Sequence, residues 1–179
     1  MFNTAVGHEA GAAVTTGVNN TIIGGLAGDA LTTGESNVAV GISALSADTR
    51  GTNNVAVGRG ALETQNFTSA TASLNVAVGS LAGNAITTGI RNTLIGGLAG
   101  DALTTGYFNT AVGYSALSAD TLGRLSVAVG YGALQTQNFT SGTDVYNVAV
   151  GHNAGAAVTT GSVNTLIGGL AGDALTDAD

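Results

Sequence analysis

"NTIIGGLAGDALTTG", residues 20–34, returns as "NTLIGGLAGDALTTG" at 92–106 and starts again at Asn164. A stretch that recurs every 72 positions is a structural period, and its shorter opening shows the true unit. Asn, one residue, an apolar residue, Val or Ile, then Gly begins at Asn3, Asn20, Asn37, Asn54, Asn75, Asn92, Asn109, Asn147 and Asn164, with Ser126 replacing the Asn once. The steps are 17, 17, 17 and 21 residues, the same four again, and a last 17. Four units make a block, so the chain reads as one repeat domain over 1–179, with blocks at 3–74 and 75–146 and a partial block at 147–179. The two full blocks agree at about two positions in three, which points to duplication.

Each unit reads as two short strands joined by tight corners. The first is rich in Val, Ile and Thr, which suit a pleated surface. A glycine follows at once, as at Gly24, Gly41 and Gly58, where the chain can turn with positive φ. The second segment is "AAVTTG" or "DALTTG". Glycine recurs too often in it for a helix. The fold class that follows is all-β: a parallel β-solenoid of about ten coils, strand stacked on strand about 4.8 Å apart, in a rod of roughly 45 to 50 Å. Stacked Asn side chains then form a hydrogen-bonded ladder.

Alternation along the first strand puts its second and fourth residues on one face and its third on the other. The fourth is Val or Ile in every unit, which assigns that face to the coil interior. The third is never polar, as at Ala56, Ala77, Leu94 and Ala128. A strand apolar on both faces is normally covered on both. These four residues are therefore expected at the axis of an assembly of identical chains.

Composition agrees with a narrow interior. The chain has 179 residues with 29 Gly, no Pro, no Cys and no Trp, so its apolar residues are mostly small or aliphatic. Net charge is −7, with four Arg and no Lys, which disfavours nucleic acid and anionic membranes as partners. No apolar run approaches the ~20 residues needed to span a bilayer, and no targeting signal is read. Absence of Cys excludes disulfides and thiolate metal sites.

The openings "NTAVG", "NVAVG" and "SVAVG", and "NTAVGYSALSADT" at 109–121, resemble the head repeats of YadA-like trimeric autotransporter adhesins and similar repeats in bacteriophage tail fibres. The resemblance spans essentially the whole chain. It implies a left-handed parallel β-roll, three chains side by side, and surface attachment from a virion tail fibre or another extracellular surface. Units of 17 and 21 residues, longer than those of adhesin heads, and the lack of neck, stalk, anchor and signal sequences favour the tail-fibre version.

"GGLAGDALT" approximates a calcium-binding nonapeptide, but that site needs aspartates on consecutive turns, and Asp29, Asp101 and Asp173 lie four coils apart. His8 and His152 occupy equivalent corners without an evident carboxylate, and the aliphatic spacing does not fit a hexapeptide acyltransferase. "TTG" at Thr15, Thr32, Thr87, Thr104 and Thr159 suggests a broken threonine ladder, so an ice-binding or other surface-binding solenoid is the alternative. No catalytic residue, cofactor or metal is expected, and stability should be indifferent to calcium. The 21-residue units, "ETQNFTSATASL" at 63–74 and "QTQNFTSGTDVY" at 135–146, carry Asn66, Phe67, Asn138 and Phe139. These four are the candidate surface contacts, to a host cell-surface glycan, since aromatic and amide groups suit sugars. The competing reading has the Phe packed as a strap.

Overall fold

The computed structural model describes residues 2–177. Each signature forms one three-residue strand: β1 (Thr4–Val6), β2 (Thr21–Ile23), β3 (Val38–Val40), β5 (Val55–Val57), β7 (Val76–Val78), β8 (Thr93–Ile95), β9 (Thr110–Val112), β10 (Val127–Val129), β11 (Val148–Val150) and β12 (Thr165–Ile167). They pair in parallel, in chain order, as one ten-stranded sheet. The register follows the sequence period: Ala5 faces Ile22, 17 residues on, and Ala56 faces Ala77 across the 21-residue unit. The fold is an all-β parallel solenoid of about ten turns, and no helix occurs among the described residues. Two short strands, β4 (Gly51–Thr52) and β6 (Thr71–Ala72), make a second small sheet.

Two ladders hold the coils in register. Asn20 Nδ2 donates to Gly34 O at 2.9 Å, bridging its own coil, while Asn20 Oδ1 accepts the Asn37 amide at 2.9 Å from the next. The column is fully buried over most of its length, so each side chain satisfies backbone groups that water cannot reach. Ser126 keeps the amide bond to Asn109 Oδ1 at 3.0 Å. The second ladder is the corner glycine. Gly41 has φ of 135°, and a Cβ there would lie 2.5 Å from the Gly58 carbonyl oxygen. Only glycine lets adjacent corners stack so closely.

The second segment differs from expectation. It is a run of turns, because residues with positive φ alternate through it, as at Leu26 (57°) and Gly28 (49°), and an extended strand cannot form. Its amides still bond between coils, as Ala13 N–H does to Asp29 O at 3.0 Å.

The interior explains the four-coil block. Third-position side chains point inward and meet the wall formed by the ninth residue of each unit. Where the third position is large, as at Leu94, the ninth is Gly: a Cβ on Gly100 would lie 2.7 Å from Leu94 Cδ2. Where the third is Ala39, Ala56, Ala111 or Ala128, the ninth is Leu45, Leu62, Leu117 or Leu134, all fully buried. Where both are small, as at Ala77 and Gly83, leucines of the two neighbouring coils fill the space: a Cβ on Gly83 would lie 2.8 Å from Leu94 Cδ1 and 3.1 Å from Leu62 Cδ2. "GGLAGDALTTG" is the coil in which the sheet supplies the bulk.

This packing corrects the facing of the strands. Ala56, Ala77, Leu94 and Ala128 are completely buried within a single chain and line its core, so they are not at an intermolecular axis. The outward face carries the second and fourth positions, half-exposed in every interior strand except at the second-block isoleucine and its counterpart, Ile95 and Ile23, which are 39% exposed.

Candidate functional site

The 21-residue units begin from a buried polar pair. In most coils the twelfth residue is apolar, as at Leu31 and Leu103, but Asp48 and Gln65, and likewise Asp120 and Gln137, take that place and are fully buried. Gln65 Nε2 donates to Asp48 Oδ2 at 2.6 Å, and the amides of Gly51 and Phe67 donate to Asp48 Oδ1 at 2.9 and 3.2 Å. Gln65 Oε1 accepts from Asn75 Nδ2 at 2.8 Å. The second block repeats the arrangement, with Gln137 Nε2 2.6 Å from Asp120 Oδ2. Each carboxylate thus closes the turn from which the extra residues depart.

Those residues form a strap along the preceding coil. β6 lies on β4, and in the second block Arg124 pairs with Asp144 at 3.6 Å and stacks over the Tyr107 ring at 4.4 Å. Phe67 and Phe139 are 7% and 9% exposed, tucked under the strap, so their rings are not presented to a glycan. Their amides are anchored on Asp48 and Asp120. Asn66 and Asn138 are exposed, and their Oδ1 atoms accept the hydroxyls of Thr49 and Thr121 at 3.1 and 3.0 Å.

Other sequence candidates are dispersed. Asp29 and Asp101 each keep one buried Oδ1 without a partner, and no group of three or more potential metal ligands occurs among the described residues. The first threonine of each TTG is engaged: Thr15, Thr32, Thr87, Thr104 and Thr159 each donate to the backbone carbonyl of the next coil. No pocket is present among the described residues.

The surface carries two features that the repeat alone did not disclose. One is the outward face of the sheet, with Val or Ile at every fourth position beside Thr or Val at every second. The other is an aromatic column just past three corners: Tyr114 stacks on Tyr131 at 5.7 Å between ring centres, and Tyr131 on His152 at 5.2 Å. Their shared place in three successive units was the signal that could have revealed them.

Two carboxyls give the rod a pH dependence. Burial pushes the Asp120 carboxyl up, against hydrogen bonds from Gln137 and from the amides of Phe139, Gly123 and Leu122. Burial likewise pushes Asp101 up, against a backbone hydrogen bond. A raised carboxyl binds its proton more tightly folded than unfolded, so stability is greatest below the ordinary value and falls as pH rises through the raised one. The melting temperature should therefore be higher at pH 4 than at pH 7. Asp101→Asn should raise it at pH 7 and narrow the difference; an unchanged difference would exclude Asp101 as a contributor.

No family model, curated protein or solved structure matches the chain.

Proposed function

We propose that the chain is a non-enzymatic structural segment of a fibre, a left-handed β-roll that packs side by side in threes within a tail-fibre or adhesin-like shaft for surface attachment. The observation that carries this is the outward sheet face. It is apolar at every fourth position over ten strands, and a parallel sheet of this composition is ordinarily covered on both sides. One cover is the coil's own interior; the other is the same face of the two companion chains. A flat ribbon of Val, Ile and Thr suits axial packing of like on like, because symmetry brings the same columns together. Threefold order and the left hand come from the resemblance of the "NVAVG" and "NTAVG" repeats. The ice-binding alternative would need an unbroken threonine ladder, but the TTG series is absent from the third and fourth coils of each block, and its first threonine donates to a backbone carbonyl.

Val78→Arg combined with Val129→Arg tests the assembly. Both positions are half-exposed in the single chain, so a lone coil would leave the guanidinium groups in water. At a closed interface each unpaired charge costs several kcal/mol, repeated in every chain. Light scattering should give a trimer for the parent and a loss of mass for the double variant, while Thr105→Arg, in an exposed turn, leaves the mass unchanged. A monomeric parent, or a trimer indifferent to Arg at both valines, would overturn the reading.

A further inference from the structure

We propose that the Tyr114–Tyr131–His152 column is a binding ladder for a neutral, extended chain of hexopyranose units. The inference rests on the surface-attachment reading above and supplies its ligand and its place, now that Phe67 and Phe139 are known to be buried. Tyr114 and Tyr131 are each 52% exposed, and His152 is exposed as well. The three rings lie nearly parallel, at 14° and 9°, so each holds the next in place and little side-chain freedom remains to be lost on binding. Neither tyrosine hydroxyl has a protein partner among the described residues. The column therefore offers two free phenol groups and an imidazole in a row, on carbons rigidly spaced by the coil.

Spacing selects the ligand class. The rungs are 5.7 and 5.2 Å apart, close to the advance of one sugar unit in an extended β-linked chain, in which every unit, though flipped relative to the last, carries a hydroxyl toward each edge. A peptide strand presents like-facing groups every ~6.6 Å, and a polyproline helix every ~9 Å, so neither stays in step over three rungs. The segments "VGYS" at 112–115, "VGYG" at 129–132 and "VGHN" at 150–153 hold no Arg, Lys, Asp or Glu, and the chain's net charge is −7, which disfavours an anionic ligand. Glycine bounds the ladder at both ends. Tyr114 leans over Gly97, whose added Cβ would be 3.3 Å from the ring, and a Cβ at Gly169 would meet nothing within 4 Å, leaving the outer face of His152 open to the C–H face of a sugar.

The test is titration of the whole chain with cellohexaose and chitohexaose, read by tyrosine fluorescence, which no Trp obscures. Maltohexaose, which curves, is the comparison. Saturable binding of at least one straight oligosaccharide is expected, weakened at least tenfold by Tyr131→Ala and tightened severalfold by Gly97→Tyr, which adds a fourth rung. No binding of either straight oligosaccharide, or equal affinity in Tyr131→Ala and parent, would overturn the proposal. Light scattering on the same samples separates the two readings. A monomeric parent that binds with this variant pattern leaves the ladder standing and removes the trimer. Loss of mass in Tyr131→Ala makes the column a subunit contact and overturns the ladder alone.

Discussion

Gly24→Ala is expected to abolish the folded rod, while Gly25→Ala, one residue along, is expected to melt with the parent. Gly24 has φ of 135°, where a side chain brings strain of about 1–3 kcal/mol. A Cβ there would overlap the Gly41 carbonyl oxygen and sit 2.7 Å from its carbon. Neither backbone can give way. Gly24 N–H donates to Val6 O and Gly41 N–H to Ile23 O, each at 2.8 Å, and Gly41 stands against Gly58 in the same manner. Relief at one corner displaces the next, and each inter-coil hydrogen bond lost removes about 1 kcal/mol more. A few such losses approach the 5–15 kcal/mol that a domain has in total. At Gly25 an added Cβ meets nothing within 4 Å, so the change should stay within about 0.5 kcal/mol. Thermal unfolding followed by circular dichroism decides the matter, and a Gly24→Ala variant that melts like the parent would show that the corners do not stack this closely.

That contrast also marks what could be read from residues alone. The corner glycines and the Asn column repeat at fixed steps, so coil register and ladder follow from spacing, and Asn20 and Asn37 make the bonds that spacing implies. The facing of the strand was ambiguous because both sides are apolar. Its resolution lay in a longer-range pattern, the exchange of bulk between Leu94 and Gly100 in one coil and Ala111 and Leu117 in the next. The turns of the second segment were hidden for another reason. Leu26, Leu45 and Leu62 adopt φ between 51° and 57°, which nothing in a leucine announces; burial and inter-coil bonding outweigh the local cost. Phe67 looked like a contact residue because its neighbours are polar, yet Gln65 and the Phe67 amide both serve the buried Asp48.

Ala77→Arg should destroy the fold outright, whereas Val78→Arg should spare the coil and weaken only the assembly. The two residues are adjacent on β7, and the alternation of a strand sends their side chains to opposite faces. Ala77 is completely buried, in register with Ala56 on one side and Leu94 on the other. Ala82 and Ile86 of the same coil are completely buried too, so there is no room for a longer chain. Overpacking of this kind costs about 1–3 kcal/mol before charge is considered. The guanidinium stays ionised at any working pH, and residues 75–91, the coil that contains it, hold no Asp or Glu to pair with it. Burying it unpaired adds several kcal/mol. Because each coil rests on its neighbours, a defect in the fifth of ten leaves two short stacks with new open ends, and neither has much interior of its own. The expected result is loss of the β signal in circular dichroism together with loss of the native mass. Val78→Arg should keep the β signal and lose only mass. A folded but dissociated Ala77→Arg variant would return the third position to the intermolecular axis and invert the assignment of the two faces.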